Sequence, residues 1–347
     1  MLYKVERNPI IIISEFFHIQ TIGDPHLGRE FKSNVFSHRR GERELSVWNT
    51  FKTLLKPKSK EVKVVSLVGD LFDTFSVKSE ILLEAFESIQ QAALENPDVD
   101  YVLIPGNHDL SKDTTKASTY SVLHKLISLS QISNLYSILE EHEIIEYDEV
   151  TLLCCAYNPF ENTELTTPYI SKLEKVNTPI ITIGHFDGFD IDGKGYTPTV
   201  KMKELSDLIV SGHEHTYKQL ITKDVPILFT GSMQPYSHAE DPLSEIYITI
   251  DCDLLEDFDV SLLKNKFVRI LRDSDFELKE SFECISLTYK LKEEISEIES
   301  ITEDDITIIK SSITYTEKVL LAANEIETKE NIKKKYLNYI SSREYLK

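Results

Sequence analysis

Five short apolar runs each end in a glycine turn that carries Asp, Asn or His. The runs are FFHIQTI, VKVVSLV, DYVLIP, PIITI and LIVS. The turns that follow are GDPHLG at 23–28, GDLFD at 69–73, GNHD at 106–109, GH at 184–185 and GHEH at 212–215. Short β-branched runs bounded by Gly or Pro read as buried strands. The repeated unit is therefore a strand, a sharp turn and a metal-type ligand. In open α/β sheets, ligands collect beyond the carboxyl ends of the strands, so the five clusters are expected to converge there. An α/β fold follows, and one convergent set of Asp, Asn and His points to a two-metal hydrolase.

Between and after these runs, helices are expected at 44–55, 79–95, 117–129 and 200–208, with later strands at 225–230 and 246–250. Beyond Asp251 glycine disappears and the segment 273–305 is rich in acids. Strands at 267–271 and 282–288, with helices at 290–298 and 303–311, describe a small α+β domain. From 316 onward the chain is polar and helix-prone. The expected organisation is a loosely attached extension at 1–15, a domain at 16–251 that carries all five turns, a small second domain at 252–315 and a helical segment at 316–347.

The 347 residues allow one large domain and a smaller one. A formal net charge of −20 argues against a surface that coats nucleic acid generally. A local basic island is still present: Arg29, Lys32, Arg39, Arg40 and Arg43 lie within REFKSNVFSHRRGERE. They read as phosphate-backbone contacts beside the metals; the plainer alternative is a solvated loop and helix start, balanced by Glu42 and Glu44. Cys154, Cys155, Cys252 and Cys284 form no CxxC pair, so buried free thiols in a reducing compartment are expected. Cys154 and Cys155 should face opposite sides of a strand. The apolar run at 9–17 is broken by Glu15 and too short to cross a bilayer. A soluble, cytoplasmic protein is expected.

The chemistry of the turns is specific. Asp24 and His26 are two apart on a chain leaving a strand, so both can point to one side; His213 and His215 repeat that relation. Asp70 has two oxygens and can bridge two cations. Asn107 offers a neutral carbonyl oxygen, and His185 an imidazole nitrogen. Mixed N and O ligation suits Mn²⁺, Fe²⁺ or Zn²⁺ better than Ca²⁺. Taken singly, Asp and Asn in glycine turns are usually turn formers; five such turns in this order, each on a strand end, are not. Of the other histidines (His18, His38, His124, His142 and His238), only His238 is a candidate for a place near the site.

GDxHLG, GDxFD, GNHD, GH and GHxH in this order resemble the calcineurin-like metallophosphoesterases. The Leu-Gly after His26 and the appended second domain look most like SbcD and the related meiotic-recombination and double-strand-break-repair nucleases, including their phage counterparts. The resemblance covers 16–251 well and the last third in outline. It implies a β-sandwich flanked by helices, followed by a DNA-capping domain and carboxyl-terminal helices. It implies two divalent ions, Mn²⁺ foremost, with Mg²⁺, Fe²⁺ or Zn²⁺ as alternatives. Asp24, His26 and His215 would hold the first ion, Asn107, His185 and His213 the second, and Asp70 would bridge. His108 would stabilise the transition state or protonate the leaving 3′ oxygen; Asp73 sits where family members vary. The implied activity is a 3′→5′ exonuclease and endonuclease on double-stranded DNA ends. The implied partner is an SbcC-like ATPase, bound through 316–347, with a nuclease homodimer inside a heterotetramer; for a viral protein the compartment is host cytoplasm. A phosphatase or cyclic-nucleotide phosphodiesterase can share all five motifs, and a non-catalytic scaffold is opposed by the complete ligand set.

Overall fold

Chain alternation decides the architecture. In the computed structural model the described residues are 4–6, 10–13, 17–110, 116–139, 142–157, 165–187, 196–221, 225–241, 245–255, 258–278 and 281–292. They fall into two compact units. The first comprises the described residues up to Tyr236 except 33–38; the second comprises 33–38 and those from Ser237 on.

Two six-stranded sheets make up the first unit. One runs in chain order: β1 (Lys4–Glu6), β2 (Ile10–Ile13), β3 (His18–Ile22), β4 (Val62–Val68), β5 (Asp100–Ile104) and β6 (Leu135–Ser137). From β3 to β6 the strands are parallel, while β1 and β2 are antiparallel additions at the edge. The other contains β7 (His142–Glu146), β8 (Thr151–Cys155), β9 (Ile180–Gly184), β10 (Leu208–Ser211), β11 (Lys218–Ile221) and β12 (Pro226–Phe229), in the order β11-β12-β10-β9-β8-β7. Its central strands β8, β9, β10 and β12 are parallel.

The inner faces form one core. Val64, Val68, Val102 and Ile104 of the first sheet pack with Leu152, Cys154, Ile181, Ile183 and Val210 of the second. The period of two then sends Leu153, Cys155 and Ile180 to the opposite face, with Leu173 and Met202. Cys154 and Cys155 accordingly face opposite ways, and all four cysteines are buried and free. Helices cover the sandwich: α1 (Glu42–Leu54), α2 (Ser79–Glu95), α3 (Thr119–Ser130), α4 (Thr167–Leu173) and α5 (Val200–Leu205). Ser118 caps α3 by a reciprocal bond with Ser121. Tyr120, Leu123 and Ile127 give α3 its buried stripe. The helix expected at 200–208 stops at Leu205, because Leu208 already opens β10. Helix α4 had no counterpart in the sequence reading.

Two expectations are corrected. The amino-terminal segment is not loosely attached: Ile10–Ile13 is β2, paired antiparallel with β3, and Ile12 belongs to the shared core. Ile11 and Ile12 are buried, and each gains roughly 1.5–3 kcal/mol that a free extension would forgo. The strand expected at 246–250 does not belong to the sandwich. As β13 (Tyr247–Asp251) it pairs in parallel with β14 (Phe267–Arg272), and β14 with β15 (Ser286–Leu291), to form the sheet of the second unit. Ile250, Cys252, Leu263, Val268, Ile270 and Cys284 make the core of that unit. The expected helix at 290–298 begins too early, since β15 continues through Leu291. The remainder of that helix beyond Lys292, the helix at 303–311 and the segment 316–347 lie outside the described residues. Among the described residues no helix is long and apolar enough to cross a membrane.

Candidate metal centre

Each of the five turns leaves the carboxyl end of a parallel strand. Asp24 and His26 follow β3, Asp70 follows β4, Asn107 and His108 follow β5, His185 follows β9, and His213 and His215 follow β10. The turns are tight. Asp24, His26 and Asp70 have φ of 45°, 45° and 47°, and His213 has 74°. These four are among only six non-glycine residues with positive φ in the described chain. Such backbone strain persists only where surrounding structure over-determines it, and it clusters at functional sites. Glycine makes the convergence possible: a side chain on Gly106 would run into the Asp70 carboxylate, and one on Gly69 into the His185 ring.

The seven expected ligands come together in two groups. In the first, Asp24, His26 and His215 bring ligand atoms within 4.8 Å of one another. His26 Nε2 and His215 Nε2 are 3.1 Å apart, two ring nitrogens aimed at one point. Asp24 Oδ2 is buried with no hydrogen-bond partner. In the second group, His185 Nε2 and His213 Nδ1 both lie 3.0 Å from Asn107 Oδ1. Asp70 stands between the groups: its Oδ2 is 3.4 Å from His185 Nε2 and 3.7 Å from His26 Nε2. Its other oxygen accepts from the His108 backbone N–H at 2.8 Å. His185 donates Nδ1–H to the Val68 carbonyl at 3.0 Å, which leaves Nε2 for the centre.

The electrostatics ask for positive charge. Burial pushes the Asp24 carboxyl up, with Asp70 adding to it against the nearby histidines. Burial also works against Asp70, but His185 and His26 outweigh it and hold its carboxyl well down. Burial would depress His185, yet Asp70 and Asp24 carry it up to about 10. Carboxylates buried beside these histidines favour positive charge at the centre. The orphaned oxygen, the paired ring nitrogens and the mixed donor set fit two divalent ions, with Asp70 able to touch both.

A sequence model of the calcineurin-like phosphoesterases matches residues 17–217, a span that includes all five turns. The chain belongs to the calcineurin-like phosphoesterase family. It is thus a member of a family of metal-dependent hydrolases. No curated protein matches the chain. Among solved structures it is similar to the phosphopantetheinyl hydrolase PptH of Mycobacterium tuberculosis, at 12% identity over 65% of this chain and 95% of that one, with a TM-score of 0.38. It is also similar to GAP50, the anchor in the inner membrane complex of Plasmodium, at 16% identity over 62% and 71%, with a TM-score of 0.38. A dimetal phosphatase from Danio rerio shows 10% identity over 63% and 88%, again with a TM-score of 0.38.

His108 of this phosphoesterase is placed differently from the ligands. Its side chain is 43% exposed, and its Nε2 lies 4.0 Å from Asp70 Oδ2. Nδ1 donates to the Asp73 carbonyl at 2.6 Å. Asp73 also turns its carboxylate toward His26 Nδ1 at 3.5 Å and Arg29 at 3.7 Å.

The basic island divides. Arg39 and Arg43 are buried, which corrects their reading as phosphate contacts. Arg39 forms a two-pronged pair with Glu42 at 2.5 and 2.6 Å. Arg43 donates to Gln234 and to the Pro235 carbonyl, and lies over the Phe31 ring. A guanidinium has five donors, and inside a protein internal acceptors take them up. Lys32 and Arg40 are exposed, and Arg29 is partly so. His238 belongs to the second unit, where it meets Thr249 at 3.1 Å and packs edge-on to Tyr247.

Two contributors escaped the sequence reading. Asp109, the last residue of GNHD, is fully buried and accepts from the backbone N–H groups of Leu71, Phe72 and Gly106 at 3.0, 2.8 and 2.9 Å. It ties the second turn to the third; its presence in the motif was the available signal. Tyr236 donates to the carbonyls of Asp24 and Pro25 at 3.1 and 2.6 Å, and sets its ring edge-on to His26 and His215. Nothing in GSMQPYSH marked this tyrosine, because its partners lie over two hundred residues upstream.

Proposed function

We propose that this phosphoesterase is a two-metal DNA nuclease, a 3′→5′ exonuclease and endonuclease that processes double-strand ends. The observation that carries it is the position of His108, open to solvent at the edge of a ligand set whose Asp24, His26, Asp70 and His185 are buried. The first ion would be held by Asp24, His26 and His215, the second by Asn107, His185 and His213, with Asp70 shared. Bound divalent ions, Mn²⁺ in this reading, supply Lewis-acid polarisation of the phosphoryl group and a water acidic enough to attack at neutral pH.

The chain's own residues do the rest. The bond from Nδ1–H to the Asp73 carbonyl fixes the His108 ring, so that Nε2 faces the centre. Nε2 is so placed that it can serve as the hydrogen-bonding partner of a leaving oxygen. Asp109 and Tyr236 hold the turns that carry the ligands, so little rearrangement is needed on substrate binding. Exposed Lys32 and Arg40 would meet the phosphate backbone. The motif resemblance supports DNA as substrate, with an SbcC-like ATPase as partner and a nuclease homodimer at the heart of that assembly.

One observation favours the runner-up, a phosphatase or cyclic-nucleotide phosphodiesterase. Arg39 and Arg43 are used internally, which shortens the cationic track. Assays with Mn²⁺ on linear duplex DNA, bis-p-nitrophenyl phosphate and p-nitrophenyl phosphate separate the readings. Release of nucleotides from duplex ends, with weak monoester hydrolysis, is the expected result. Monoester hydrolysis without DNA cleavage would overturn the nuclease reading.

A further inference from the structure

The four candidate histidine ligands do not present the same ring atom to the centre. His185 keeps Nδ1–H on a backbone carbonyl and turns Nε2 inward. His26 and His215 face each other through Nε2. His213 is reversed: its Nδ1 lies beside Asn107 Oδ1 at 3.0 Å, while its Nε2 points away, 3.2 Å from Asp187 Oδ1. A neutral imidazole has one N–H, and both nitrogens of His213 face an oxygen. A carboxylate is the stronger acceptor, so the proton goes to Nε2 and Nδ1 keeps its lone pair.

Asp187 is itself fixed. Its second oxygen accepts from the Tyr196 N–H at 2.8 Å, and its own N–H donates to the Tyr196 carbonyl at 2.8 Å. Tyr196 is anchored in turn by a bond from its hydroxyl to the Ala156 carbonyl at 2.7 Å and by stacking on Phe186. His213 meanwhile sits at φ 74° with its N–H bonded to Asp24 Oδ1 at 3.0 Å. With the backbone held there, the two side-chain rotations of His213 are set by what its ring nitrogens meet, Asn107 on one side and Asp187 on the other.

We propose that Asp187 is a positioning residue for the second ion: it selects the His213 tautomer and ring orientation that leave Nδ1 for the metal. The proposal rests on the two-ion reading of the centre. Outer carboxylates on metal-binding histidines typically contribute 10–100-fold in metal affinity. Asp187 meets the second-ion histidine His213 directly, so the effect is expected at one ion.

The test is Mn²⁺ titration of metal-stripped full-length protein by calorimetry, with electron paramagnetic resonance of the loaded protein. The wild type should bind two ions and show an exchange-coupled pair. In Asp187→Ala one binding step should fall about 10–100-fold while the other stays within about twofold. At two equivalents the coupled signal should give way to a mononuclear one. Asp187→Asn keeps an oxygen acceptor of the same shape and should recover much of the loss, which guards against a folding defect in the alanine variant. Two unchanged affinities in both variants would overturn the proposal. Equal loss of both ions, with a lowered melting temperature of the metal-free protein, would make Asp187 merely structural. A wild type that binds fewer than two ions would overturn the two-ion reading and this proposal with it.

Discussion

Asp70 commits one oxygen to the His108 amide and leaves the other between two sets of histidine nitrogens. In the proposed two-ion centre a carboxylate so placed would be shared by both ions. Asp70→Ala should therefore lose both ions, and metal analysis of the purified variant checks this; two retained ions would refute the shared role. His108 makes a different prediction. Its ring nitrogen Nε2 stands 4.0 Å from the Asp70 carboxylate, and its Nδ1 is bonded to the Asp73 carbonyl. His108→Gln should keep both ions and lose about 10²–10⁴-fold in turnover on phosphodiesters. A near wild-type turnover number in steady-state kinetics would remove His108 from the chemistry.

At the scale of elements, the turns work because parallel strands from two sheets end side by side and glycine lets their ligands approach. Gly106→Ala would force its new methyl against the Asp70 carboxylate and backbone. Metal content should fall sharply in this variant while far-ultraviolet circular dichroism stays unchanged. Helix α1 shows the other use of charge. Arg43, on its buried side, ties the helix to Gln234 and Pro235. Arg43→Ala leaves those acceptors buried without a donor, so stability should fall by about 1–3 kcal/mol, measured by denaturant unfolding. Lys32→Gln with Arg40→Gln should leave stability alone. If both lysine and arginine meet phosphates, the salt dependence of duplex binding should flatten by about two units of slope.

The described chain comprises a sandwich and a separate three-stranded unit, with the segment after 292 outside the described residues. The proposed ATPase partner assigns that segment a function. Truncation after Tyr315 should leave Mn²⁺ binding and hydrolysis of a small aryl phosphodiester within about twofold, since every candidate ligand lies before Glu240. The same truncation should abolish ATP-stimulated cleavage of long duplex DNA in the presence of the ATPase. Retained ATP stimulation would place the partner's contact elsewhere in the chain.

The strands that lead into the five turns, the turns themselves and the identity of the ligand-type residues were legible in the sequence, because each depends on local chemistry: β-branched runs, glycine, and donor side chains at a fixed offset. The helices expected at 79–95 and 117–129 form at Ser79–Glu95 and Thr119–Ser130. Membership of β2 in the sheet was not, since a short isoleucine run at a terminus looks the same whether or not a neighbour covers it. Nor was the transfer of β13 to the second unit, which depends on which strand it pairs with. The sequence showed five basic residues in one stretch, but whether an arginine faces solvent or a buried acceptor is settled only by what packs above it. The same holds for Asp109, Tyr236 and Asp187. Their partners are brought close by strand order and sheet packing, and no local pattern carries that information.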